Sequence, residues 1–410
     1  MARLIIPRRQ VLQTGGGFVA ASGMGFGAPA LAAEAGGGEK PRAVGQAFPA
    51  GVTLPSAPPR AAQDGGVGIA IVGLGYYALA QIMPAFATAR GCRIAALVSG
   101  NPEKAKRVAD AYGLEEDRIY SYDNFDSIVS DDRIDAVYVI LPSGLHAEWT
   151  EKAFAAGKHV ICEKPMALSA AECERMIAAS QRAGKKLMIG YRCHFEPYNL
   201  RATELLRENA LGALRLIRTA HQYPMGPTTP AQNWRANRAL AGGGPLEDYG
   251  LYGLQAALYL TGENPESVSA QSLQPKNDPR FEQIVAHTST QLRFPSGVVA
   301  QLATSYDSFP INAVSARGAK GALTMEPATA YNGNTITLQT FGARETPTPG
   351  DSGVQFAEML SHFADAVRNG VAIRTPGEMG LRDARLMESI YRSAASGRTL
   401  ALNRDGTARD

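Results

Sequence analysis

Three residues far apart in the sequence, Lys164, Asp248 and Tyr252, are of types that suit redox chemistry on carbonyl and alcohol groups. Tyr252 could pass a proton to or from a substrate oxygen. A nearby Lys164 ammonium would favour the phenolate and bring the pKa of Tyr252 toward working pH, while Asp248 would hold substrate hydroxyl groups or the lysine. Asp248 and Tyr252 are four residues apart in GGGPLEDYGLYGLQ, which predicts one shared helix face after a glycine loop. From these two residues alone, a helix-capping aspartate and a half-buried tyrosine would be the simpler interpretation.

The lysine belongs to the segment CEKP, residues 162–165, which ends an apolar, strand-like run. Doubly wound α/β sheets bind their ligands outside the carboxyl ends of the strands. The segment therefore predicts that Lys164 lies at the ligand-binding edge of such a sheet.

A glycine loop between a strand and a helix is the second candidate site, in the segment GVGIAIVGLGYYALAQIMPAFA, residues 66–87. Gly73 would make the tight turn, Gly75 would let the backbone approach a pyrophosphate, and Ala78 would let the helix pack closely on the strand. The pyrophosphate would bind at the helix N-terminus, where free N–H groups and the helix dipole favour negative charge. An ordinary glycine-rich turn is the alternative.

The residues after the second predicted strand bear on the choice of cofactor. Where an acidic residue would bind the ribose of NAD, the chain has Ser99, Gly100 and Asn101, which do not repel a phosphate. Lys104, one turn into the next helix, and Arg107 could contact a 2′-phosphate, so the sequence favours NADP. The alternative is an ordinary solvated helix face.

Length and composition limit the number of domains and the kinds of partner and metal site. A chain of 410 residues with 45% hydrophobic residues is long enough for two globular domains. The net charge of +3, with no basic blocks between aromatic residues, indicates no nucleic-acid partner. The cysteines do not have the spacing of a zinc site, so we predict no metal and four free thiols: Cys92, Cys162, Cys173 and Cys193.

The first 33 residues resemble a twin-arginine export signal. Arg8 and Arg9 precede an uncharged stretch that ends in small residues near Ala33, although Pro7 and Val11 depart from the usual pattern. Six glycines make the stretch too weakly apolar for a stable membrane anchor. The segment therefore predicts a periplasmic protein that is exported folded; a disordered basic tail is the alternative.

The rest of the chain divides by pattern. Residues 34–65 are rich in proline and predict an extended arm. Residues 66–194 alternate short apolar strands with helices, which predicts a doubly wound parallel sheet. In residues 195–375 strand-like runs follow one another without helices, which predicts a second domain with a mainly antiparallel sheet. Apolar stripes on the last two helices, the second within residues 376–410, predict that they pack back on the first domain.

Several segments together are similar to the glucose–fructose oxidoreductases, within the wider oxidoreductase group that includes inositol dehydrogenases. The segments are LVSGNPEKA, LPSGLHAE, AGKHVICEKPMA, KLMIGYRCHFEP and LAGGGPLEDYGLYG. The resemblance implies a Rossmann domain, a second α+β domain with an open-faced sheet, and tightly held NADP. It also implies homodimers or homotetramers formed through those sheets, with the arm over the cofactor or a neighbouring subunit. Most of the wider group has histidine in place of Tyr252, so the tyrosine favours the sugar oxidoreductase branch.

The resemblance also implies roles for particular residues. Lys164 and Tyr252 would be catalytic, with Asp248 assisting, and His146 would lie near the nicotinamide. The candidate cofactor-binding residues are Gly73, Leu74, Gly75, Tyr76, Tyr77, Ser99, Gly100, Lys104, Leu141, Pro142, His146, Glu163, Lys164, Arg192, Trp234 and Arg235. Candidates for a sugar pocket are Arg192, His194, Trp234, Arg235 and Tyr306.

These observations predict a periplasmic sugar oxidoreductase that keeps its NADP. No nicotinamide pool lies outside the cytoplasm, so one sugar must re-oxidise the bound cofactor that another sugar has reduced. Such alternation is a ping-pong cycle. An aldose such as glucose would become its lactone, and a ketose such as fructose, or a second aldose, would become a polyol. The rivals are an NAD-dependent glycosidase, an ordinary NAD(P)-dependent sugar dehydrogenase and a non-enzymatic sugar sensor.

Overall fold

A computed structural model describes residues 48–49, 51–56 and 66–409. The predicted export segment, 1–33, and most of the predicted arm, 34–65, lie outside the described residues. The described part of the arm packs on the first domain, where Arg107 Cζ lies 4.2 Å from the centre of the Phe48 ring and Val52 and Leu54 cover the edge of the core.

Six parallel strands form the first sheet, in the spatial order β3-β2-β1-β4-β5-β6. They are β1 (Val67–Val72), β2 (Cys92–Val98), β3 (Ile119–Tyr120), β4 (Ala136–Val139), β5 (His159–Cys162) and β6 (Leu187–Ile189). Every residue of β1 and β4 is buried, because a parallel sheet is covered on both faces. The predicted doubly wound sheet is confirmed.

Two of the four helices described in this domain begin directly after a residue whose side chain caps them. The four helices are α1 (Met83–Ala85), directly after a π-helical turn at Ala78–Ile82, α2 (Pro102–Tyr112), α3 (His146–Ala155) and α4 (Ala170–Ala183). The Asn101 side chain accepts a hydrogen bond from the Lys104 N–H and so caps α2. Ser169 caps α4 through the Glu172 N–H, but the Glu172 carboxylate accepts from the Leu168 N–H, one residue earlier than in a standard capping box.

The apolar run at residues 134–141, IDAVYVIL, is typical of a buried strand, but the strand in the structure is shorter than the run. β4 covers only Ala136–Val139, because its neighbours β1 and β5 pair with just these four residues. Leu141 and Pro142 instead begin the connection to α3, at the carboxyl edge of the sheet.

The second domain is built on a nine-stranded sheet in the order β14-β13-β12-β11-β7-β10-β9-β8-β15. After α5 (Pro197–Arg207) come β7 (Leu214–Gln222), α6 (Arg238–Ala241), α7 (Leu251–Thr261), β8 (Ser267–Leu273), β9 (His287–Arg293), β10 (Val299–Ser305), β11 (Ile311–Gly318), β12 (Gly321–Met325), β13 (Thr337–Thr340) and β14 (Arg344–Glu345). The chain ends with α8 (Gln355–Asn369), α9 (Gly377–Ser396) and β15 (Leu400–Ala401). β7 and β10 are parallel and the other pairs are antiparallel, so the mainly antiparallel sheet is confirmed.

One face of the second sheet is covered and the other is open. Burial alternates along β9, because one side of the strand packs against helices and the other faces outward. A hairpin joins β9 to β10, and Gly297 makes its turn with φ +84°.

The last long helices tie the two domains together. α8 buries Phe356, Met359 and Leu360 in the same core as β1, as predicted. On α9, the buried Asp383 carboxylate accepts hydrogen bonds from Tyr191, Gln255 and Arg382, so it joins the loop after β6 to α7. Of the helices described, none is long and apolar enough to cross a bilayer.

Candidate active site

Lys164 and Asp248 meet where the carboxyl edge of the first sheet faces the second domain. Lys164 follows β5, and its Nζ donates to the Asp248 main-chain oxygen at 2.6 Å and to Asp248 Oδ1 at 3.3 Å. The two side chains are only 12% and 19% exposed. Residues 84 positions apart therefore form one pair, as the chemistry of the three residues predicts.

Asp248 also contacts the second domain's own side chains. Its Oδ2 accepts from Arg235 Nε at 2.9 Å and from the Tyr306 hydroxyl at 2.8 Å. Burial raises the pKa of Asp248, but Arg235, Lys164 and Tyr306 outweigh burial and hold the pKa below its usual range. Asp248 is an anion here, and a carboxylate has more lone pairs than these three contacts use, so it can still accept from a hydroxyl.

The turn that carries Asp248 is held by its neighbour Glu247. The Glu247 carboxylate accepts from the N–H groups of Gly243 and Gly244 and from the Tyr391 hydroxyl of α9. Gly244 has φ +143°, a conformation that favours glycine. Asp248 itself lies in a π-helical turn, Leu246–Gly250, that leads directly into α7.

Tyr252, in the first turn of α7, is surrounded by cations and rings. Lys164 Nζ and Arg192 Cζ each lie 4.7 Å from the centre of its ring. The His221 ring of β7 stacks on it at 6.2 Å, with 29° between the planes. The predicted group of lysine, aspartate and tyrosine thus forms one site.

The predicted net lowering of the pKa of Tyr252 is wrong. Burial raises the pKa of Tyr252 above its ordinary value, and Arg192 is the main group that opposes this rise. Sequence reasoning considered the nearby charge but not the desolvation of the phenol. Tyr252 is therefore a neutral proton donor at neutral pH.

The glycine loop after β1 has the shape that a dinucleotide requires. Gly73 has φ +96°, and a Cβ atom there would lie 2.3 Å from the Ile140 oxygen. A Cβ atom at Gly75 would meet no atom within 4 Å, so the loop opens outward at this residue. Leu74 is buried, Tyr76 lies beside Gly51 of the arm, and the Tyr77 ring packs on Phe356. The residues present fit a pyrophosphate on the backbone at the start of the helix.

The candidate 2′-phosphate residues lie beside this loop. Lys104 Nζ donates to the Leu74 oxygen at 3.4 Å, and burial lowers the pKa of this lysine. Ser99 is buried and its Oγ accepts from the Asn101 N–H, while Gly100 is exposed. Lys104 is thus buried and hydrogen-bonded to the glycine loop, and it does not lie on a solvated helix face.

The loops that follow β4 and β5 are joined next to Lys164. The two nitrogens of the buried His146 ring lie 2.8 Å from the oxygens of Leu141 and Pro165, which links the two loops. Glu163 is buried and accepts from the Tyr138 hydroxyl at 2.5 Å. Burial raises the pKa of Glu163. Its hydrogen bond with Tyr138 ties the residue before Lys164 to β4.

Aromatic side chains extend the site away from the glycine loop. The Tyr249 ring packs on Tyr306 at 5.8 Å and on Tyr223 at 6.2 Å. Arg235 Cζ lies 4.4 Å above the Trp234 ring. Flat aromatic faces beside hydrogen-bonding groups suit a sugar ring, so Tyr306, Arg235 and Trp234 are well placed for the predicted pocket.

The site differs at two residues from the sugar pocket predicted by the sequence. His194 does not join this group; its ring contacts Gln255 and Tyr259 in the network around α7. Tyr331, in the loop between β12 and β13, was missed, although Arg192 Cζ lies 4.7 Å from its ring centre. No local pattern marks Tyr331, because only the second sheet brings it here.

The chain matches two family descriptions along most of its folded part. Residues 67–191 match the oxidoreductase family with an NAD-binding Rossmann fold, and residues 199–324 match the GFO/IDH/MocA C-terminal domain. The chain belongs to the GFO/IDH/MocA oxidoreductase family. The predicted wider group is thereby confirmed.

Curated relatives in this family include NADP-dependent sugar dehydrogenases. A D-xylose 1-dehydrogenase [NADP(+)] from Haloarcula marismortui is 29% identical over 83% of this chain and 95% of its own length. A D-xylose 1-dehydrogenase (NADP(+)) from Haloferax volcanii is 30% identical over 75% of this chain and 92% of its own.

Solved structures add a second type of relative. The aldose–aldose oxidoreductase from Caulobacter crescentus, complexed with glycerol, is 45% identical with a TM-score of 0.79, and covers 82% of this chain and 100% of its own. A 3-ketoreductase from Actinomadura kijaniata, in complex with NADP and TDP-benzene, is 27% identical with a TM-score of 0.70, over 80% and 98% of the two chains. These proteins support NADP as the predicted cofactor.

Proposed function

We propose that this protein is an NADP-dependent sugar oxidoreductase that couples two sugars at one site. An aldose such as glucose loses two electrons and two protons at C1 and becomes its lactone. A second aldose, or a ketose such as fructose, gains them and becomes a polyol. The observation that carries this proposal is the convergence of Lys164, Asp248 and Tyr252 at the carboxyl edge of the first sheet, the edge at which the glycine loop follows β1.

The chain's own residues would divide the work as follows. The loop at Gly73 and Gly75 would hold the pyrophosphate of NADP, with Lys104 and Ser99 beside its ribose. Bound NADP would supply the exchange of a hydride with the sugar carbon. Tyr252 would move the proton to or from the sugar oxygen, and the Lys164 ammonium would stabilise negative charge there. Asp248 would accept a hydrogen bond from a sugar hydroxyl.

Export and assembly belong to the same proposal. Export through the twin-arginine route, from the signal predicted in residues 1–33, would carry the folded protein to the periplasm with its nucleotide. A nucleotide that stays bound must be returned to its oxidised form by a second sugar, which favours coupled turnover. We propose that the open face of the nine-stranded sheet forms the homodimer or homotetramer contact.

The relatives point to two different functions. The 45% identical aldose–aldose oxidoreductase favours a second aldose as acceptor. The D-xylose dehydrogenases favour a second candidate function, an ordinary sugar dehydrogenase that exchanges NADP freely.

The experiment that separates the two functions is a single turnover without added nucleotide. Glucose added to the purified full chain is expected to produce the near-ultraviolet absorbance of reduced nicotinamide, about one per subunit, by the half-reaction of a ping-pong enzyme. A second aldose or fructose should then bleach the signal and yield its polyol. Methyl glucoside, whose anomeric oxygen is blocked, is the matched control and should produce no signal. A protein that purifies empty and turns over only with added NADP is an ordinary dehydrogenase.

The preference for NADP can be tested at Ser99. Ser99→Asp adds a carboxylate beside the expected 2′-phosphate, and we expect the NADP-to-NAD affinity ratio to fall by roughly 10-fold or more through charge repulsion. Thr88→Asp adds the same charge on an exposed turn after the first helix and should leave the ratio unchanged. The affinities are measured by titrating nucleotide-stripped protein. An unchanged ratio in Ser99→Asp would remove Ser99 from the ribose site.

A further inference from the structure

Two cations face the Tyr252 ring at the same distance, but their surroundings differ. Lys164 Nζ and Arg192 Cζ each lie 4.7 Å from the ring centre. Lys164 is paired with the Asp248 carboxylate at 3.3 Å. Asp248 therefore offsets part of the field that Lys164 exerts on the tyrosine.

The Arg192 guanidinium is buried without a matching anion. Its Nη atoms donate to three neutral acceptors, which are Gln355 Oε1 at 2.6 Å, the Thr329 oxygen at 2.6 Å and the Ala330 oxygen at 3.4 Å. Across residues 48–49, 51–56 and 66–409, no carboxylate forms an ion pair with Arg192, and its Nε has no hydrogen-bond partner. Arg192 is 3% exposed, so its charge is poorly screened by water.

The guanidinium also contacts a second aromatic ring. The ring centre of Tyr331 lies 4.7 Å from Arg192 Cζ. A cation over an aromatic ring is attracted to the electron density of the ring. Ionisation of the Tyr252 phenol increases the electron density of its ring. Arg192 is therefore attracted more strongly to the phenolate than to the phenol.

The other groups around Tyr252 do not supply a comparable positive charge. Burial and Arg192 hold the pKa of the stacked His221 ring down to about 3, so this ring is neutral. Glu163, the buried Cys193 thiol and the Tyr77 phenol act in the opposite direction and disfavour the phenolate. Arg192 is therefore the main group that favours ionisation of Tyr252.

We propose that Arg192, rather than Lys164, is the positioning residue that stabilises the ionised form of Tyr252. This inference rests on the proposed role of Tyr252 as the proton-transfer group, and it assigns Lys164 to the sugar oxygen instead. During sugar oxidation the phenolate form of Tyr252 must accept the proton that leaves the sugar hydroxyl, and the buried guanidinium lowers the free energy needed to form that phenolate. Nothing is bonded or oxidised at Arg192 itself.

The test measures the ionisation of residue 252 directly. Difluorotyrosine, whose phenol is more acidic than that of tyrosine, is placed at position 252 of the full-length holoenzyme, and fluorine NMR follows its titration. Removing an uncompensated charge in Arg192→Gln is expected to raise the titration midpoint by about one to three pH units. Lys164→Met, the matched variant at the same distance, should raise the midpoint by less than half of that shift.

Two further variants keep the test decisive if Arg192→Gln does not fold. Arg192→Lys keeps the charge and should titrate within about one unit of the parent protein. Asp248→Asn releases Lys164 from its carboxylate and should lower the midpoint, because the ammonium then acts on the ring uncompensated. Equal shifts in Lys164→Met and Arg192→Gln, or an unmoved midpoint in Asp248→Asn, would overturn the proposal.

The same samples separate this inference from the proposed function. A merely structural role for Arg192 would lower the unfolding temperature without moving the midpoint. If Tyr252→Phe retains full turnover, the proposed function of Tyr252 fails, whereas the NMR midpoints still report whether Arg192 governs its ionisation.

Discussion

Tyr252→Phe is expected to fold and keep its nucleotide, yet to lose roughly 100-fold or more in kcat for sugar oxidation. The substitution removes one hydroxyl and keeps the ring that Lys164, Arg192 and His221 contact. Without this phenol the site loses its proton-carrying hydroxyl, because the other phenol of α7, on Tyr259, is hydrogen-bonded to Asn199. Stopped-flow measurement of the single-turnover absorbance with glucose supplies the rate.

The matched control for this variant is Tyr112→Phe. Tyr112 is the last residue of α2 and its pKa is raised to about 12 by burial, so the control also deletes a partly desolvated phenol hydroxyl. Its turnover should equal that of the unmodified protein. Near-normal turnover in Tyr252→Phe would remove the tyrosine from the proton transfer.

Lys164→Met should lower kcat by about 100- to 1,000-fold, because a preorganised donor at the developing oxyanion is lost. The methionine keeps the unbranched side chain except for its last atom, and it leaves two acceptors of Asp248 without their ammonium partner. Arg235 and Tyr306 still hold Asp248, so the pocket should remain and the sugar should still bind. The loss should therefore fall on kcat more than on KM.

Lys152→Met is the control for the loss of a lysine charge. Lys152 lies on α3, pairs with Glu148 at 3.2 Å and is 38% exposed. An ion pair this exposed contributes little to the free energy of unfolding. The kcat of Lys152→Met is expected to be unchanged. A Lys164→Met enzyme that loses affinity for the sugar while kcat stays normal would make the lysine a binding group only.

Most of the elements could be predicted because their signals are local. Asn101 with Pro102 predicts the start of α2, and Gly297 predicts the turn between β9 and β10. Strand ends were less predictable. β4 stops at Val139 because of how far its neighbours β1 and β5 reach, which the residues of β4 do not encode.

The candidate site was predictable only in part. Sequence motifs identified Lys164, Asp248 and Tyr252 as a group, and the structure brings them together. The motifs did not show that Arg192 is held by Thr329 and Gln355 from distant segments, or that Tyr331 covers it. Those contacts depend on how the second sheet and α8 return to the first domain.

The sequence by itself determined which residue types are available and the local turns that present them. The glycine loop at Gly73 and Gly75, the CEKP strand end and the spacing of Asp248 and Tyr252 are properties of short segments, since backbone sterics and capping act over a few residues. Only the tertiary structure decided the electrostatics. Desolvation and the pairing of charges depend on what surrounds a group in space, so burial raises the pKa of Tyr252, Asp248 offsets Lys164, and Arg192 is left without a described carboxylate partner.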